Sequence, residues 1–97
     1  MQPGRLELEL EREFGGEAKV VVRQAVDLRD SGYYREDVGA TLDVDVVVEN
    51  LRDAPDECTN AVERWNWWVG ALAIAYGDHY AQFTVRRPPD VGKDPYR

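Results

Sequence analysis

Apolar and polar residues alternate in three stretches of this chain, and between those stretches the apolar period lengthens. Leu6, Leu8 and Leu10 are interleaved with Glu7, Glu9 and Glu11. A period of two predicts a strand with one buried and one acidic face, ending near Phe14 where Gly15-Gly16 break it. Leu42, Val44, Val46 and Val48 alternate with Asp43, Asp45, Val47 and Glu49, the clearest strand pattern in the chain. Val47 interrupts the polar side, so that side is expected to be partly covered. Ala81, Phe83 and Val85 alternate with Tyr80, Gln82 and Thr84 and predict a third strand, ended by Arg86-Arg87-Pro88-Pro89.

Residues 17–30 admit two readings. Val20-Val21-Val22 favours a strand by propensity, with Gly15-Gly16 as its hairpin turn. Against this, Ala18, Val21, Val22, Ala25, Val26 and Leu28 share one face at about 100° per residue, with Glu17, Arg23, Gln24 and Asp27 opposite. The helical pattern outweighs the β-branched penalty, and Ser31-Gly32 supplies a stop. Residues 33–38 read as a polar loop. Asp53-Ala54-Pro55-Asp56 reads as the start of a second helix, with proline and acidic groups suited to a first turn. That helix runs to Tyr76, with Gly77 as its C-cap. Cys58, Ala61, Val62, Trp65, Trp68, Val69, Leu72, Ala73 and Tyr76 lie on one arc. Trp67 and Ile74 lie on the opposite side with Gly70 and Ala71 nearby.

The expected order is thus β-α-β-α-β, an α/β (α+β) two-layer sandwich whose small sheet is covered on one face by two helices. With residues 17–30 as a strand, it becomes a four-stranded sheet under one long helix. Residues 1–87 are expected to form one domain, and the Pro-rich, charged residues 88–97 a flexible tail.

Composition narrows the function classes. Net charge is −7, with ten Arg, two Lys, ten Asp and nine Glu. A nucleic-acid footprint needs clustered Lys and Arg, so nucleic acid is not an expected partner. High acidity with almost no lysine fits a protein adapted to high salt, where self-repulsion is screened; a GC-rich genome accounts for it equally well. Cys58 is the single cysteine, so no internal disulfide forms and a reducing, cytoplasmic setting is expected. The N-terminus leads into an acidic segment rather than a secretory signal. The uncharged run from Trp65 to Gly77 is too short to cross a bilayer, so no membrane span is expected.

Candidate chemistry is sparse. His79, the only histidine, sits beside Asp78 after the long helix. A general base oriented by that carboxylate is one reading; a loop histidine at a helix C-terminus, where positive charge is favoured, is the simpler one. No serine or cysteine nucleophile accompanies it in any motif. Asp43 and Asp45 share a strand face in the predicted register, as metal ligands or, more simply, as a solvated face. One Cys and one His fall short of a zinc set. Gly15-Gly16 lacks the lysine and further glycine of a nucleotide loop. Neither a metal nor an organic cofactor is expected.

Residues 65–76 carry all three tryptophans and no charge. Trp65 and Trp68 belong to the core arc. Trp67, on the back face, has the composition of an interface hot spot unless the chain covers it itself. The sequence therefore predicts a small interaction or assembly module that pairs with itself or with another protein. Trp67, Ile74 and Ala71 form the apolar centre of the expected interface, and Asn60, Glu63 and Arg64 form its rim. The alternative is a small-molecule binder or minor enzyme, with a pocket lined by Trp68, Tyr76, His79 and Tyr80.

Overall fold

The computed structural model describes residues 1–86 of the chain. Five α-helices follow one another: α1 (Pro3–Glu13), α2 (Ala18–Ser31), α3 (Tyr33–Val38), α4 (Val44–Arg52) and α5 (Ala61–Tyr76). A 3₁₀ segment, Asp78–Phe83, completes the order. Among the described residues there is no strand, so the expected α/β sandwich is overturned. The expected 88–97 tail lies outside the described residues.

Each expected strand fails for a reason that its own residues supply. In α1, Leu6 and Leu10 are fully buried while Leu8 is exposed. Three leucines at a spacing of two contain one pair at i, i+4, and that pair makes the helical contact. Leu, Glu and Arg, which dominate this segment, are good helix formers, so propensity opposed the strand from the start. In α4, Val44, Val47, Val48 and Leu51 are buried, an i, i+3, i+4, i+7 stripe. Val47, the residue that broke the alternation, is fully buried. Asp43 is the N-cap, its carboxylate accepting the Val46 N–H at 2.9 Å. In the third segment, Tyr80 and Phe83 are buried three residues apart, as a 3₁₀ turn requires. Only Phe83 and Val85 keep the expected alternation, because Thr84 between them is extended, at φ −66° and ψ 135°.

Residues 18–31 are helical, with Ala18, Val21, Val22, Ala25 and Leu28 buried as the 3.6-residue pattern predicts. Gly32 ends α2 at φ 81°, a conformation that favours glycine. Residues 33–38, expected as a loop, form the short helix α3. The second long helix begins at Ala61 rather than at Asp53-Ala54-Pro55-Asp56. Its N-cap is Asn60, whose carbonyl oxygen accepts the Glu63 N–H at 2.9 Å. The Glu63 carboxylate in turn accepts the Thr59 N–H at 2.7 Å, a reciprocal arrangement close to a capping box.

α2 lies at the centre, packed against α1, α3, α5 and the 3₁₀ segment, while α4 bridges α1 and α5. The Gly15-Gly16 turn closes on the start of α5: the Gly15 carbonyl accepts the Ala61 N–H at 3.0 Å. Gly16, at φ 88°, lies so near Asn60 that a Cβ would stand 2.9 Å from the Asn60 Cβ. That contact, rather than an anion, accounts for the second glycine. At the surface, Arg5–Asp45 (2.9 Å) and Arg52–Glu13 tie α1 to α4. The Arg52 guanidinium holds the Glu13 carboxyl below its ordinary range.

Candidate interaction site on the tryptophan helix

α5 presents two different surfaces. Its inner side consists of Ala61, Val62, Trp65, Trp68, Val69 and Leu72, all buried. The Trp65 and Trp68 rings meet edge-on at 5.7 Å between centroids, and Trp68 meets Tyr34 of α3 at 5.8 Å. At the border of this side, two polar groups reach the segment that follows the 3₁₀ turn. The Trp65 indole N–H donates to the Phe83 carbonyl at 2.8 Å. The Asn66 amide donates to the Val85 carbonyl at 3.1 Å and accepts the Val85 N–H at 2.8 Å. Trp65 and Asn66 thus hold an extended segment through its main chain, as a neighbouring strand would. Phe83 and Val85 are buried on either side of Thr84.

The outer side of α5 carries Glu63, Trp67, Gly70, Ala71 and Ile74, spaced three and four apart. Trp67 is 37% exposed and Ile74 90% exposed, and Gly70, Ala71 and Ala75 are also exposed. No heavy atom lies within 4 Å of a Cβ built on Gly70, so the middle of this stripe is open.

The three expected rim residues each bond within the chain. Asn60 is occupied as the N-cap, and Glu63 holds Thr59. Arg64 turns inward: it donates to the Leu51 carbonyl at 3.0 Å and lies over the Phe14 ring, 5.0 Å from its centroid.

The alternative pocket residues fall into two groups. Trp68 packs on Trp65 and Tyr34, whereas Tyr76, His79 and Tyr80 gather around the 3₁₀ segment. The His79 ring lies 4.6 Å from both Tyr33 and Tyr80, and Tyr80 is fully buried. Clefts of about 220, 210 and 180 Å³ lie elsewhere, bordered by Arg5 and Asp43, by Arg35 and Leu42, and by Lys19 and Arg23.

His79 is oriented by Asp37 of α3, with its Nε2 2.9 Å from Asp37 Oδ2, and not by its sequence neighbour Asp78. The Tyr80 hydroxyl donates to the same carboxylate oxygen at 2.9 Å, with the Tyr33 carbonyl 3.1 Å away as a second acceptor. Hydrogen bonds from His79 and then Tyr80 hold the Asp37 carboxyl below its ordinary range. Burial, followed by the Asp37 bond, raises the Tyr80 phenol. The group joins α3 to the 3₁₀ segment. Ser31, the only serine, uses its hydroxyl on the Leu28 carbonyl at 2.6 Å. Asp43 and Asp45, read as possible metal ligands, serve as N-cap and as partner of Arg5. Among the described residues no cluster of three or more His, Cys, Asp or Glu is placed to hold a metal.

Sequence reading passed over Asn66 and Asp37. For Asn66 a signal existed, because it is the one polar side chain within a run of three tryptophans. A bulky apolar setting demands a bonded partner for such an amide. Nothing in the sequence pairs Asp37 with a histidine forty-two positions away.

Over the described residues the fold is all-helical, with an aromatic α5 packed against the central α2. The chain belongs to the WNWW domain family, whose model matches residues 1–73. The family's name spells Trp65-Asn66-Trp67-Trp68 of this sequence. No curated protein and no solved structure matches the chain. No helix of the described residues is long and apolar enough to cross a membrane.

Proposed function

We propose that this protein is a small assembly module of the cytoplasm that pairs with a second copy of itself through the outer side of α5. One observation carries the reading: an uncharged stripe from Trp67 through Gly70 and Ala71 to Ile74 stands in solvent, with Ile74 90% exposed. An aromatic and an aliphatic anchor separated by small residues suit close approach of a second helix. A two-fold pairing would set each Ile74 against the open space over the partner's Gly70, so one patch serves both sides. Asn60, Glu63 and Arg64 remain the proposed rim, with Asn60 and Arg64 held in place by bonds within the chain. The small-molecule reading is not favoured, because the rings of Tyr76, His79 and Tyr80 pack on one another.

Sedimentation equilibrium at micromolar concentration, in low and in molar salt, tests the proposal. A dimer mass is expected, and Trp67→Glu should give a folded monomer. A monomer mass for the unaltered chain in both salts removes the self-pairing reading. A dimer that survives Trp67→Glu puts the interface elsewhere.

A further inference from the structure

We infer that Trp65 and Asn66 form a receptor site for a peptide segment of the pattern aromatic-x-aliphatic that leaves a 3₁₀ turn in extended conformation, filled here by the chain's own Phe83-Thr84-Val85. Three observations carry this beyond a description of packing. First, recognition runs through the main chain: the Trp65 indole N–H takes the Phe83 carbonyl, and the Asn66 amide takes both polar groups of Val85. Such contacts are open to any segment in the same conformation, while the buried Phe83 and Val85 side chains set which segments fit. Second, Thr84 holds φ −66° and ψ 135°, a polyproline-type conformation. An indole N–H donating to the carbonyl of such a segment resembles the way aromatic-lined grooves read extended peptides.

Third, receptor and ligand lie on different elements, helix α5 and the end of the 3₁₀ segment with the residues after it. Here the two are joined at Gly77, whose φ of 138° and ψ of 163° only glycine adopts readily. The link holds the segment at high effective concentration, so its capture needs no affinity for a free peptide stronger than that link provides.

The test removes the tethered occupant from the full chain and offers it again as a separate peptide. Full-length Phe83→Asp should release the segment, seen as a shift of the Trp65 indole N–H resonance. A synthetic peptide spanning residues 77–86 should return that resonance to its original position, and the same peptide carrying Phe83→Asp should not. Adding Asn66→Ala to the receptor chain should weaken capture by roughly ten- to a hundredfold, since two main-chain groups lose their partners. A folded Phe83→Asp chain that ignores the peptide overturns the proposal. Should Phe83→Asp fail to fold, hydrogen exchange decides. In Asn66→Ala alone, the Val85 amide should lose at least about tenfold more protection than amides in the middle of α2. Unchanged Val85 protection, or the same loss at Val85 as in the middle of α2, overturns it equally.

Discussion

Trp67 and Trp68 are neighbours in the chain, yet Trp68 is 5% exposed and meets two aromatic rings, while Trp67 is 37% exposed beside the bare Ile74. Their separation of about 100° around α5 is the whole cause. The comparison teaches that the aromatic content of this helix is not one feature but two. The side with Trp65 and Trp68 stabilises the fold and, through Asn66, holds the segment after the 3₁₀ turn. The side with Trp67 is partly open at Trp67 and bare at Ile74, and under the proposed function it meets a partner.

The sharpest way to break this division is to truncate each side in turn. Trp68→Ala removes a buried ring among Trp65, Tyr34 and their neighbours, and should cost about 3–5 kcal/mol of stability. Urea titration followed by far-UV circular dichroism measures it. A cost under about 1 kcal/mol would mean that the core closes without the ring. Asn66→Ala comes next. It leaves the Val85 N–H and carbonyl without their partner, and a loss of about 1–3 kcal/mol is expected in the same titration.

Trp67→Glu should cost the monomer clearly less than Trp68→Ala, because Trp67 is 37% exposed against 5% for Trp68. Its main effect should appear in the mass. Unfolding of this variant would show that the chain depends on Trp67 after all. A smaller effect concerns the junction between α3 and the 3₁₀ segment. Folding lowers the Asp37 carboxyl through bonds from His79 and Tyr80, so its contribution is fully present above about pH 4, the ordinary carboxylate value, and is lost as pH falls through the folded value. Thermal midpoints of the unaltered chain should therefore exceed those of Asp37→Asn near neutrality and converge with them in acid. A constant gap across that range would assign the difference to packing.

The weakest effect is that of salt. Nineteen acidic against twelve basic residues repel in the folded state, and screening shortens to roughly 3 Å in 1 M salt. The midpoint should rise between 0.1 and 2 M KCl under the high-salt reading. A flat or falling curve leaves genome composition as the account of the acidity.

What the sequence by itself determined was local and periodic. The face of α2, favoured over a strand reading, the inner arc of α5 from Ala61 to Leu72, and the place of Trp67 and Ile74 off that arc followed from a 3.6-residue repeat, although Cys58 precedes α5 and Tyr76 is exposed. The short alternations at Leu6–Leu10 and Leu42–Val48 were not of that kind. A run of five to seven residues contains i, i+4 pairs as well as i, i+2 pairs, and only a surface to pack against selects between them. α1 packs on α2 and α4, and α4 packs on α5, and that burial made helices of two segments that alternate. Tertiary structure also decided every polar partnership that bears on function. Asp37 with His79, Arg64 with Leu51 and Asn66 with Val85 join residues between 13 and 42 positions apart. A sequence states which groups must find partners; the path of the chain brings the partners within 3 Å or so, the range in which a hydrogen bond forms.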